Sequence, residues 1–342
     1  MILIGVVAFA GIALGSAQAA GPLPPLAGPS LRGATHLRLI VGDTPPVVLD
    51  VDTTTITAVG GVTGQPKTGG PQVGAVLPAL GGAYVSVWDG RTYSGYFVGA
   101  DGSARRAGAG ADLIPSRDSP AVWTLTPATG GCMLRLVPSS GAATHAPCGS
   151  LQLDTASGLL ITNPPYAMLV NGSTGKVLRR VRVPGQVKPI SGTLVLENSR
   201  PSVEVPGKLT LVDLMTGTRR RLRWPSILPT VQRIAVEPHG PLVAVGFVSV
   251  AYPGPQQADD IWLLNTTSGS FTHLPGFPAQ ESIKASGFAW TSDDRLVVVA
   301  ESGIDTSMRV VIGVWRPGQS TLALRTIPTL AGGYNQFVPL NG

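Results

Sequence analysis

An all-β fold assembled from one repeated unit is what this sequence predicts, and three observations predict it. Short apolar runs rich in Val, Leu, Ile and Thr alternate with turn residues from residue 36 onward, and no stretch there carries a sustained helical period with caps. Gly (44) and Pro (31) are abundant, and charged residues make up only 13%, against about 25% in an average globular chain. Finally, an apolar strand, a short polar turn and a second strand return with a period of about 44 residues, inside the range of about 40–50 that marks propeller blades.

The elements follow in chain order. Residues 1–19 hold an apolar run from Ile2 to Leu14 and then Ala17-Gln18-Ala19, the small-residue pattern of a signal-peptidase site. No Lys or Arg precedes the run. A cleaved signal peptide is the first expectation. An uncleaved membrane anchor is the second, because Ile2–Ala20 just reaches the length of about 20 residues that spans a bilayer. No cysteine lies nearby to carry a thioether lipid. Residues 20–35, containing GPLPPLAGPS, read as a Pro/Gly-rich linker, and 36–342 as the folded domain.

Within that domain the hairpins are VVLDVDTTTITAV (47–59), YFVGADGSARRAG (96–108), MLRLVPSSGAATHA (133–146), MLVNGSTGKVLRRV (168–181), TLVDLMTGTRRRLRW (210–224), IWLLNTTSGSFTHL (261–274) and IGVWRPGQSTLALRTI (312–327). A second strand–turn–strand element precedes most of them, as in LQLDTASGLLITN (151–163), IAVEPHGPLVAVGF (234–247) and FAWTSDDRLVVVA (288–300). Together they give four strands per period.

FAWTSDDRLVVVA resembles the Ser-Pro-Asp-Gly turn of TolB-like and WD-repeat propellers, with Thr291-Ser292-Asp293-Asp294 in the turn. SVWDG (86–90) holds a Trp-Asp pair as in WD repeats, without their Gly-His element. The resemblance covers 36–340 by period. It implies a seven-bladed β-propeller, and it implies no particular activity, because propellers host many. The blades fall near 36–62, 72–109, 111–148, 150–184, 187–225, 231–276 and 284–328, with six or eight blades as alternatives. The first blade is one strand short. YNQFVPL (334–340) is a spare strand, expected to enter it innermost and close the ring.

Cys132 and Cys148 are the two cysteines. A hairpin turning at Ser139-Ser140-Gly141 would set them opposite each other, as a disulfide requires, and such a bond agrees with export. In blade five, Arg219, Arg221 and Arg223 alternate with Arg220, Leu222 and Trp224. Alternate strand residues share a face, so three arginines line one face of an outermost strand. Charge there keeps sheet edges from pairing. The competing reading is contact with anionic lipid or envelope polymers, shared with Arg179, Arg180 and Arg182 of KVLRRVRV (176–183). Stacking aromatics and a recognition module for nucleic acid are absent.

Asp50/Asp52, Asp259/Asp260 and Asp293/Asp294 are acidic pairs beside turns, where capping of backbone amides is the first expectation. The insert before Asp259 is the longest loop inside a blade. With Tyr252, Gln256, Gln257, Asp259 and Asp260 it is the candidate partner-facing loop. Asn171-Gly-Ser and Asn265-Thr-Thr match glycosylation sequons. The four histidines lie in different blades without ligand spacing, and no nucleophile-elbow, metalloprotease or complete phosphate-loop motif occurs. No catalytic, cofactor or metal residue is assigned. The net charge of +6 permits weak attraction to anionic surfaces. The expected protein is a monomer at the cell envelope or outside the cell. It would act as a scaffold that binds a protein or glycan. The alternatives are a propeller enzyme acting on extracellular glycans and an envelope-associated structural protein.

Overall fold

The computed structural model describes residues 26–43, 45–62, 73–109, 113–138, 142–199, 207–248, 259–278, 284–302, 309–328 and 336–340. Their strands form seven four-stranded antiparallel sheets, a seven-bladed β-propeller. Blade 1 contains β1 (Arg38–Val41), β2 (Val47–Asp50) and β3 (Thr55–Ala58); blade 2 contains β4 (Val73–Ala79), β5 (Gly82–Trp88), β6 (Tyr93–Gly99) and β7 (Ala104–Ala109). Blade 3 is β8 (Leu113–Pro115), β9 (Val122–Ala128), β10 (Gly131–Val137) and β11 (Thr144–Ala146). Blade 4 is β12 (Ser150–Thr155), β13 (Gly158–Asn163), β14 (Tyr166–Val170) and β15 (Val177–Arg182). Blade 5 is β16 (Gln186–Ser191), β17 (Leu194–Ser199), β18 (Lys208–Asp213) and β19 (Arg219–Leu222). Blade 6 is β20 (Thr230–Val236), β21 (Leu242–Val248), β22 (Asp259–Asn265) and β23 (Phe271–His273). Blade 7 is β24 (Lys284–Trp290), β25 (Leu296–Ser302), β26 (Arg309–Trp315) and β27 (Ala323–Ile327). Finally β28 (Phe337–Pro339) pairs with β1, Leu39 opposite Pro339 and Val41 opposite Phe337, and is the innermost strand of blade 1.

The innermost strands touch in turn around the ring, β28 against both β4 and β24, so they enclose a central channel. Among the described residues, the buried apolar side chains fall into seven clusters, one at each junction between neighbouring blades. Strand alternation explains this. In β25, Leu296, Val298 and Ala300 pack toward blade 6, while Val297 and Val299 pack toward blade 1. Central strands are therefore apolar on both faces and read as continuous runs, whereas the outermost β15 is mostly exposed.

One turn recurs between third and fourth strands and explains the period seen in the sequence. Asn171 Oδ1 accepts the N–H groups of Ser173 (3.0 Å) and Thr174 (2.9 Å), and Gly175 N–H returns to the Asn171 carbonyl at 2.8 Å. Asp213 does the same with Met215, Thr216 and Gly217, and Asn265 with Thr267, Ser268 and Gly269. Each glycine has φ near +70°, which disfavours other residues. Gly175 also lies so close to blade 3 that a Cβ would stand 1.9 Å from the His145 carbonyl oxygen.

Cys132 and Cys148 are disulfide-bonded, with Cα atoms 5.0 Å apart. The register differs from direct opposition: Cys132 faces Ala146, because β11 ends there and Cys148 lies just past it. The turn at 139–141 lies outside the described residues, as do the leader at 1–19 and the start of the linker. Residues 26–35 run along the propeller. Leu26 is buried in the junction of blades 6 and 7, and Leu31 N–H bonds to the Leu324 carbonyl of β27 at 2.7 Å. No helix among the described residues is long and apolar enough to cross a membrane.

Candidate functional site

In each complete blade, the first–second and third–fourth turns leave from one face of the disc, and the remaining connections leave from the other. On the first face a groove runs across blades 2, 3 and 4. Its larger cavity, about 380 Å³, is lined by Ser116, Asp118, Trp123, Asp154, Asn171 and Leu178. A second, about 300 Å³, is mostly apolar, lined by Leu77, Leu80, Ile114, Pro115 and Gln152; both cavities reach Ser116 and Asp154.

Asp154, at the end of β12, organises the boundary. Its Oδ2 accepts the Trp123 indole N–H at 2.8 Å and the Arg117 backbone N–H at 3.0 Å, which fastens the first turn of blade 3 to blade 4. The Trp123 ring fits because residue 172 is glycine: a Cβ there would lie 2.8 Å from the ring edge. The Ser119 hydroxyl on the wall is buried without a hydrogen-bond partner. Leu80 and Leu178 stand 57% and 47% exposed at the two ends. Such large exposed apolar side chains around concave walls are what partner-binding surfaces present.

The basic outer strands are used differently from one another. Arg219 makes an ion pair with buried Glu197 and donates to the Arg182 carbonyl of blade 4 at 2.9 Å. Arg220 reaches the opposite way and donates to the Thr266 and Thr267 carbonyls of blade 6. Arg180 stacks on Tyr166, its guanidinium carbon 3.7 Å from the ring centroid. Thus two of the arginines in blade 5 staple it to its neighbours. Arg179, Arg182, Arg221 and Arg223 are exposed, and the Arg219 hydrogen bond to the Arg182 carbonyl links the outermost strands of blades 4 and 5.

Tyr252, Gln256 and Gln257 lie outside the described residues. Asp259 and Asp260 open β22 and are only 5% and 3% exposed. Asp260 Oδ2 accepts the Ser226 hydroxyl (2.5 Å) and the Trp262 indole N–H (2.6 Å), and its Oδ1 lies 2.9 Å from His273 Nε2. Burial alone would raise its pKa. The hydrogen bonds from His273, Ser226 and Trp262, and then the His273 charge, outweigh burial and hold it below the ordinary value. Ser226 and His273 both bond to the carboxylate, so Asp260 acts as a brace for the connection between blades 5 and 6.

Asp50 and Asp52 are spent on turns: Asp50 Oδ1 accepts the N–H groups of Asp52 and Thr53, and Asp52 accepts those of Thr35 and His36. Among the described residues no group of three or more His, Cys, Asp or Glu could hold a metal ion. The groove itself was not foreseen from sequence, because its parts are brought together across blade junctions. The one local signal was Trp123, an aromatic residue in a blade whose turns are polar.

The chain matches no known family, and no curated protein matches it in sequence. Solved structures do resemble it. Puromycin hydrolase aligns over 91% of this chain and 57% of its own at 14% identity, TM-score 0.54. A candidate 6-phosphogluconolactonase from Bacteroides fragilis aligns over 91% and 100% at 13% identity, TM-score 0.52. A chain of the mitotic checkpoint complex aligns over 92% and 99% at 13% identity, TM-score 0.51. These likenesses show the propeller fold and nothing narrower.

Proposed function

We propose that this is an exported or surface-tethered propeller scaffold that docks an extended segment of a partner protein in the groove across blades 2–4. The observation that carries this reading is the pair of adjoining cavities that meet at Asp154, one apolar and one polar, with Leu80 and Leu178 exposed beside them. An apolar side chain of the partner suits the wall of Leu77, Ile114 and Pro115. A hydrogen-bond donor suits the exposed Asp118 carboxylate. Export is supported by the Cys132–Cys148 disulfide, since such bonds persist in oxidising compartments, and by the leader-like residues 1–19.

The test is cross-linking of the full chain at the surface of its native cell, followed by identification of the captured species. One protein is expected to be captured by the unaltered chain and by R221A/R223A, and lost in L80D and L178D. Capture indifferent to L80D and L178D but lost in R221A/R223A would move the contact to the basic strands. Capture of glycan alone would overturn the protein reading. Sequencing the mature N-terminus checks export, with a first residue of Ala20 expected after cleavage.

A further inference from the structure

The outermost strands of blades 4 and 5 carry positive charge that no blade junction uses. Arg219, which opens β19, reaches the carbonyl of Arg182, which closes β15. The end of one strand therefore lies a side chain's length from the start of the next along the rim of the disc. Elsewhere the outermost strands spend their arginines locally. In β7, Arg105 donates to the Pro120 carbonyl at 3.0 Å and Arg106 to the Ser94 hydroxyl at 3.3 Å. In β27, Arg325 holds Asp52 at 2.9 Å. On the rim of blades 4 and 5, by contrast, the exposed side chains of Arg179, Arg182, Arg221 and Arg223 make no ion pair or hydrogen bond with a described residue.

Nothing acidic in the same segments offsets these cations. Residues 171–184 contain no Asp or Glu. Residues 207–224 contain Asp213 alone, and its carboxylate accepts the Met215 and Thr216 N–H groups of its own turn. Outside these two segments acidic residues outnumber basic ones, so the chain's excess of positive charge, +6, is gathered within them. Bulky apolar side chains stand beside the charge. Val177 and Leu178, at the start of β15, are 43% and 47% exposed, and Met215, in the turn before β19, is 41% exposed. Cations interspersed with exposed apolar groups are what a surface lying on a bilayer presents. A soluble polyanion would use the cations alone.

We propose that the rim of blades 4 and 5 docks on an anionic lipid bilayer. Arg179, Arg180, Arg182, Arg221 and Arg223 contact headgroup phosphates. Val177 and Met215 enter the boundary between headgroups and acyl chains. The stacking of Arg180 on Tyr166 fixes its guanidinium without neutralising it. The rim is separate from the groove on blades 2–4 except at Leu178, which also lines the groove and is left unaltered in the test.

Sedimentation of the full chain with vesicles of phosphatidylcholine, alone or mixed with an equal part of phosphatidylglycerol, tests this at low salt. Residues 1–19 contain no charged side chain, so any insertion by them counts alike for both vesicles, and the preference for the anionic ones is what is read. A clear preference is expected, falling as salt is raised. It should weaken at least about tenfold in R179A/R182A and in R221A/R223A, and weaken also in V177S/M215S. R32A/R135A, which removes two exposed arginines elsewhere on the surface, should keep it. All the altered side chains are exposed, so the variants are expected to melt with the parent. No preference for anionic vesicles, or equal weakening by R32A/R135A, overturns the proposal. An unchanged preference in V177S/M215S overturns the bilayer in favour of a soluble anionic polymer. The groove reading stands or falls separately, since L80D is expected to leave vesicle binding as it is in the parent.

Discussion

Arg219, on the outermost strand of blade 5, is ion-paired with Glu197, which lies two strands further in and has a side chain only 3% exposed. The other carboxylate oxygen accepts the Gly185 N–H at 3.1 Å. Removing the guanidinium leaves a buried charge half-satisfied. R219M is therefore expected to lose about 2 kcal/mol, below the range for fully buried pairs because Arg219 is partly solvated. E197Q/R219M should recover part of that loss, and R221M should stay within about 0.5 kcal/mol of the parent. Denaturant unfolding of the four proteins checks the set; equal losses in R219M and R221M would reduce Arg219 to a surface charge.

Closure of the ring depends on three residues of β28. Phe337 and Val338 are 6% and 4% exposed and pack into the two junctions on either side of blade 1. F337A should cost about 3 kcal/mol by transfer and cavity terms, a fall in melting temperature of at least about 5 °C. Deleting residues 330–342 should cost more, because it also bares the inner edge of β1 to the channel. An unchanged melting temperature in the deletion would show that blade 1 stands without its fourth strand.

The repeat was legible because a single local device recurs. The Asn171–Gly175, Asp213–Gly217 and Asn265–Gly269 turns each need an oxygen acceptor at the first position and glycine at the fifth, and both demands are written in consecutive residues. The partners that decide the use of a side chain were not legible. Alternation placed Arg219 and Arg221 together as an edge charge, yet only Arg219 has Glu197, 22 residues earlier, within reach. Arg220, on the apolar-anchor face, was likewise recruited by carbonyls of the next blade, 46 and 47 residues on. The groove depends on Asp154 meeting Trp123 across a blade junction. Those meetings are set by blade packing, which no period in the sequence encodes.

The Cys132–Cys148 bond closes a loop with a sequence separation of 16. In the chain-entropy account, a loop of that size contributes about 3 kcal/mol. C132A/C148A should lose that amount in denaturant unfolding, and reductant should shift the parent but leave the variant where it is. Reductant that shifts both alike would mean the bond contributes nothing to stability in solution.

Acid should loosen the ring at its seam through Asp52. This carboxylate, in the turn after β2, joins the entry segment to blades 1 and 7: it accepts the Thr35 hydroxyl at 2.7 Å, the His36 N–H at 2.8 Å and Arg325 of β27 at 2.9 Å. Burial raises its pKa, but the hydrogen bonds from the Thr35 side chain and backbone, His36 and Arg325 outweigh burial and bring it to about 2. A carboxylate whose folded pKa lies below its unfolded value of about 3.9 stabilises the fold fully above that unfolded value. Its contribution drains away as the pH falls from about 4 toward about 2. D52N lacks the titration. The stability gap between the parent and D52N should be flat above about pH 5 and narrow steadily below about pH 4. Chemical unfolding across that range measures it, and a gap that stays constant would remove Asp52 from the acid response.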